Sequence, residues 1–190
     1  KLQYLDSATY VNQEYGGFYL YSRLRRKESV WDKPEELEQP DRIDCRVYID
    51  YGWEGSVWKG DATYSILLEA YKKDGTPVTK EKYGRLANVT KRQAILETAR
   101  LSLEQLNPCS VEFHCCGKTL TDGIMARQFE LRRKDGYRGV KDSELIEKFM
   151  QAAEGFTLTA ISEKKNIYSE AMKIQRELYY NKMIIKDMEG

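Results

Sequence analysis

Cys45-Arg46-Val47-Tyr48-Ile49-Asp50-Tyr51-Gly52 carries the clearest structural signal in the chain. Its first half is rich in residues that suit a pleated, half-buried strand. The run ends at the carboxylate of Asp50, and Tyr51-Gly52-Trp53-Glu54-Gly55 then reads as a loop. A strand over 45–50 is therefore the starting point.

Towards the C-terminus the signals become regular. Thr63 to Tyr71 reads as a second strand, and Lys72-Lys73-Asp74-Gly75 as a hairpin turn, because Asp-Gly tolerates positive φ. A third, more polar strand covers about Val78 to Leu86, and so short a turn makes the pair antiparallel. Thr90 is the expected N-cap of a helix in which Ile95, Ala99, Leu103 and Leu106 share a face, and Asn107-Pro108 ends it. A fourth strand spans Ser110 to Cys115 with Val111, Phe113 and Cys115 on one side. Helices are expected over about 121–131 and 143–153, a fifth strand over 156–161, and a closing helix from near Tyr168 into Tyr179-Tyr180. An antiparallel hairpin half followed by strands alternating with helices predicts an α/β domain with a five-stranded mixed sheet flanked by helices.

Towards the N-terminus the character changes. Tyr4, Tyr10, Tyr15, Phe18, Tyr19 and Tyr21 crowd a short span, and Tyr15-Gly16-Gly17-Phe18-Tyr19-Leu20-Tyr21 reads as a turn and a short strand. The basic Arg23-Leu24-Arg25-Arg26-Lys27 and a charged stretch between Pro34 and Pro40 follow. The expected organisation is an aromatic N-terminal arm or linker over 1–44, the α/β domain over 45–178 and a C-terminal tail over 179–190. The arm packs on the main domain or offers its rings to a protein partner.

Composition narrows the function classes. The 190 residues are 41% hydrophobic and 32% charged, enough for a core in a soluble chain. Lys plus Arg number 31 against 30 acids, so the surface as a whole does not attract phosphate, although a local basic patch can. No apolar run approaches the roughly 18 to 20 residues of a membrane span, and Lys1 to Asp6 lacks the features of a signal peptide. Cys45, Cys109, Cys115 and Cys116 form no C-x-x-C pair, and His114 is the one histidine. Reduced structural thiols in a cytoplasmic protein are expected, with no zinc site. Phosphate-binding glycine loops, G-x-S-x-G and H-E-x-x-H are all missing from the sequence.

The order of elements over 45–178, with several local stretches, resembles the ribonuclease H family. Asp50-Tyr51-Gly52 matches the family's Asp-x-Gly strand end. Thr90-Lys91-Arg92-Gln93-Ala94-Ile95 and Leu103-Glu104-Gln105-Leu106 are similar to its first helix, and Cys115-Cys116-Gly117 falls where T-D-S is usual. Gly139 to Leu145 looks like the segment opening the helix after the family's basic handle.

The resemblance implies four carboxylates holding two divalent ions about 3.5 to 4 Å apart. Asp50 keeps the first position. Ala94 takes the second, Cys116 the third, and the fourth falls near Met172 or Lys173. Magnesium and manganese prefer oxygen ligands, so methyl and thiol groups cannot replace carboxylates. Glu97, three residues beyond Ala94, and Glu170, at the start of the last helix, are the candidate substitutes. Glu54, Asp61 and Asp122 are further acids near the same places, and with 30 acids in the chain such neighbours arise by chance.

The resemblance also implies a basic handle that grips an RNA–DNA hybrid or other nucleic acid, here Lys118, Arg127, Arg132, Arg133, Lys134, Arg138 and Lys141, with Tyr137 to stack on or bond a sugar. A solvated helix and loop is the alternative. Trp53 and Trp58 either stack on bases or a partner, or cap the sheet. His114, without an evident acid partner in sequence, reads as structural. The leading expectation is a non-catalytic module, without cofactor, that binds nucleic acid or a protein partner. A divergent magnesium- or manganese-dependent nuclease and a purely structural interaction domain, in a bacterial or mobile-element setting, are the alternatives.

Overall fold

The computed structural model describes residues 3–6, 9–11, 43–56, 58–72 and 74–189. The chain divides into two compact units, Lys1–Glu36 and Leu37–Gly190. In the first, β1 (Gln3–Asp6) pairs antiparallel with β2 (Thr9–Val11), Tyr4 opposite Tyr10. The turn and strand expected over 15–21 lie outside the described residues.

The second unit is built on β3 (Cys45–Gly55), β4 (Gly60–Tyr71), β5 (Pro77–Val89), β6 (Ser110–Cys115) and β7 (Thr157–Ser162). Their order in the sheet is β5-β4-β3-β6-β7. β3 runs antiparallel to β4 and parallel to β6; β4–β5 is antiparallel and β6–β7 parallel. The mixed five-stranded sheet is therefore present. The hairpin between β4 and β5 turns at Gly75, with φ at +82°, while Asp74 accepts the Thr76 N–H at 2.9 Å.

Side chains alternate across β3. Val47 and Ile49 enter the main core with Ile66, Leu68, Val111 and Phe113, and Ile95, Leu96, Ile146 and Phe149 cover them. The last four come from α1 (Lys91–Leu103) and α3 (Ser143–Ala152). Tyr48 faces the other way and meets Leu67, Met172 and Tyr168 beneath α4 (Ser169–Glu189). Thr90 caps α1 as expected: its Oγ1 accepts the Gln93 N–H at 3.1 Å, and Gln93 Oε1 accepts the Thr90 N–H at 2.8 Å.

Two expectations need correction. β3 does not stop at Asp50 but pairs with β4 as far as Gly55, because Gly52, Trp53 and Glu54 find ladder partners in Thr63, Ala62 and Asp61. The helix expected over 121–131 is a single π-helical turn, Thr121–Met125, followed by the separate α2 (Gln128–Lys134). Arg127, at φ +51°, separates them. α4 runs on through the segment expected as a tail to Glu189, with the Tyr179 ring stacked on Tyr83 at 5.9 Å and the Arg85 guanidinium 5.9 Å from the centre of the Tyr180 ring. Among the described residues, no helix is long and apolar enough to cross a membrane.

Candidate functional site

Asp50 lies on the α4 side of β3, on the same face as Tyr48 and Gly52. Its carboxylate accepts a hydrogen bond from the guanidinium of Arg176, whose side chain is 8% exposed against 28% for Asp50. Gly52 leaves the space this requires. A Cβ at Gly52 would stand 2.7 Å from Thr63 Oγ1 and 3.2 Å from Arg176 Nε. A bulkier residue there would push the guanidinium away.

The other expected ligand positions supply no oxygen. Ala94 is fully buried and Cys116 is exposed beyond the end of β6. Met172 packs under the sheet while Lys173 faces solvent. Arg176, one helical turn beyond Met172 and so on its face, is the α4 residue that reaches Asp50. Glu97 makes two bonds to Arg100, at 2.6 and 3.0 Å, and Glu170 pairs with Lys165 at 2.8 Å. Neither candidate substitute is directed to Asp50. Among the described residues, no three His, Cys, Asp or Glu side chains converge as metal ligands. One carboxylate already paired with a guanidinium, a methyl group and a thiol do not fit a pair of hard divalent ions.

Further along the same face of the sheet, opposite Arg46, lies a polar network. Glu69, 3% exposed, accepts hydrogen bonds from the hydroxyls of Tyr71 at 2.7 Å and of Tyr168, and Arg46 Nη1 lies 3.6 Å from it. Burial alone would raise the Glu69 pKa, but the two phenols and the Arg46 charge outweigh it and hold the carboxyl below its usual range. Conversely, the bond to Glu69, aided by burial, pushes the Tyr168 phenol up to about 12. His114 Nδ1 lies 2.5 Å from Glu163 and Nε2 3.0 Å from Glu112, with the ring stacked on Tyr48 at 4.6 Å. The histidine thus has two acid partners, one of them 49 residues away in sequence. Burial raises the Cys45 thiol to about 11 and the Cys115 thiol to about 12, which leaves both unreactive.

No family model matches the sequence, and neither does any curated protein. Solved structures do match. The crystal structure of LC9-RNase H1, a type 1 RNase H with the type 2 active-site motif, superposes with a TM-score of 0.60 at 16% identity, over 73% of this chain and 72% of that one. The foamy viral protease-reverse transcriptase in complex with RNA/DNA hybrid gives 0.56 at 10% identity, over 77% of this chain and 21% of that one. The same viral protein in complex with dsDNA gives 0.54 at 10% identity, over 72% and 91%. The fold is ribonuclease H-like.

The basic segment of this ribonuclease H-like domain is only partly free. Arg127 pairs with Glu130 at 2.7 Å and Arg133 with Glu147 at 2.8 Å. The Tyr137 hydroxyl, expected to meet a sugar, donates to Glu147 at 2.7 Å. Lys118, Lys134, Arg138 and Lys141 are exposed and form no ion pair with any described residue. Trp53 is half-buried, donates its indole N–H to the Ser56 carbonyl at 3.2 Å and has Lys91 Nζ 5.7 Å from its ring. Trp58, by contrast, is 81% exposed at the tip of the β3–β4 hairpin, so it caps no part of the sheet.

Proposed function

We propose that this ribonuclease H-like domain is a non-catalytic nucleic-acid-binding module. The Asp50–Arg176 pair carries the reading, because an internal guanidinium already neutralises the one carboxylate retained from the expected metal cluster. Binding would rest on phosphate contacts from the exposed Lys118, Lys134, Arg138 and Lys141. The viral neighbour solved with an RNA/DNA hybrid supports a hybrid as the first ligand to test. The four free thiols fit a reducing compartment such as the cytoplasm.

A labelled RNA–DNA hybrid incubated with pure protein and magnesium or manganese tests the first half. The expected result is no cleavage. Cleavage that disappears in Asp50→Asn would establish the divergent nuclease instead. Titration with hybrid across a range of salt tests the second half: affinity should fall steeply as salt rises. A second reading, a protein-interaction domain without nucleic-acid affinity, is favoured by the exposed Trp58. It wins if hybrid fails to bind at low salt.

A further inference from the structure

On the face of the sheet that α4 packs against, His114 is 9% exposed and has a carboxylate at each ring nitrogen. Nδ1 lies 2.5 Å from Glu163 Oε1, and Nε2 lies 3.0 Å from Glu112 Oε1. The register between β3 and β6 sets Tyr48 beside His114 and Arg46 beside Glu112. The histidine ring therefore stacks on Tyr48, and Arg46 Nε donates to the same Glu112 oxygen at 3.2 Å. Glu163 begins the connection 163–168 between β7 and α4. Bonds within that connection set its shape: Asn166 Oδ1 accepts the Tyr168 N–H at 2.8 Å, and Ser169 Oγ accepts the Asn166 N–H at 2.8 Å. The connection meets the sheet at its two ends, through Glu163 at β6 and through Tyr168 at Glu69 and Tyr48.

We propose that His114 is a proton-operated clasp: as an imidazolium it ties the connection leading into α4 to the sheet, and it loosens that tie when the proton leaves. An imidazole carries a hydrogen on both nitrogens only when it is charged. Carboxylate acceptors on opposite sides of one ring therefore call for the imidazolium. A neutral ring leaves one nitrogen lone pair facing a carboxylate. It also removes the charge assistance from the bond that survives, roughly halving its strength. The surrounding charges point the same way. Glu112 from β6, Glu163 after β7 and Glu69 from β4 share the guanidinium of Arg46 on β3 as their nearby cation, besides His114 itself. Lys164 and Lys165, in the connection, are exposed to solvent. Tyr48 from β3, Tyr71 from β4 and Tyr168 from α4 complete the surroundings. Burial raises the Tyr48 phenol, and the bonds to Glu69 raise those of Tyr71 and Tyr168, so none of the three gains charge near neutral pH. Glu112 sits within a strand and is also held by Arg46, whereas Glu163 lies beyond the end of β7. The Glu163 side is therefore the one that gives. The same connection carries Tyr168 to Glu69 and leads, about two helical turns on, to Arg176 at Asp50. The clasp does not depend on what the domain binds.

The experiment uses the full chain between about pH 5 and 8, where ordinary imidazoles change charge. His114 is the one histidine of the sequence, so proton–nitrogen NMR spectra of imidazole report on it alone and show which ring nitrogens carry hydrogen. Hydrogen exchange of the amides of 163–169 is followed in parallel, as protection factors, which removes the intrinsic pH dependence of exchange. At the acid end both nitrogens should be protonated. As the pH rises and the ring loses its proton, protection over 163–169 should fall about tenfold, because a charge-assisted bond gives way to a neutral one. Glu163→Gln should start from the lower protection and lose the pH dependence. Glu170→Gln, which breaks the exposed pair with Lys165 in the same region, should keep it. Thermal melts confirm that each variant is folded. A ring already neutral at the acid end overturns the clasp, and so does a ring that titrates with no change in protection. A pH dependence that survives in folded Glu163→Gln overturns it as well. If Glu163→Gln does not fold, the two wild-type measurements decide the matter by themselves.

Discussion

The Arg176 guanidinium is buried against the Asp50 carboxylate, joining the last helix to the central strand across 126 residues of sequence. Removing one partner leaves the other charge uncompensated in a mostly buried setting, whereas removing both does not. Arg176→Met should therefore cost about 3 kcal/mol in urea unfolding, and Arg176→Met with Asp50→Asn should recover most of that loss. A double variant as unstable as the sum of the singles would contradict the pairing.

Gly52 and Arg176 should be coupled as well. Gly52→Ala forces Thr63 and the guanidinium to shift, at a cost of about 1–3 kcal/mol. In the Arg176→Met background part of that clash is relieved. A double-mutant cycle measures this, and strict additivity would mean that Gly52 acts through Thr63 alone.

The Glu69–Tyr168 bond gives stability two pH edges. Glu69 has a folded pKa below its ordinary value of 4.5, so its contribution is full above that pH and is lost as pH falls through the lower folded value. Tyr168 has its phenol raised from 10.0 to about 12, so its contribution is full below pH 10 and is lost as pH rises through about 12. Melting temperature against pH should fall at both ends in wild type, and Tyr168→Phe should flatten both edges.

Thr90→Ala removes the side-chain cap of α1 and should destabilise the domain by about 1 kcal/mol. Thr90→Ser, which keeps the acceptor, should lie close to wild type. Chemical denaturation of the two variants side by side distinguishes capping from packing of the Thr90 methyl group.

If the exposed cations bind phosphates, single changes at Lys134, Arg138 and Lys141 to Ala should each lower the salt slope of hybrid binding by about 0.9. Arg133→Ala should do less, because its guanidinium is already held by Glu147. Equal effects at all four positions would show that the Arg133 pair opens on binding.

Features that depend on neighbouring residues were readable along the chain. Val111, Phe113 and Cys115 turn inward because side chains alternate along a strand, and Thr90 caps α1 because its hydroxyl reaches an N–H three residues on. The Asp74-Gly75 turn and the order of elements followed from similarly local rules, and that order was enough to indicate a ribonuclease H-like sheet. Features that depend on distant residues required the packed fold. Nothing near Asp50 in sequence announces Arg176; the rotational phase of α4 over the sheet selects it, rather than Met172 or Lys173, as the side chain that reaches the carboxylate. The extension of β3 to Gly55 likewise needs the facing residues of β4, and the acid partners of His114 need β7 to lie beside β6. The candidate site differs from the expected one for this reason: a missing carboxylate can be read from a single position, but the cation paired with Asp50 is set by how the last helix packs.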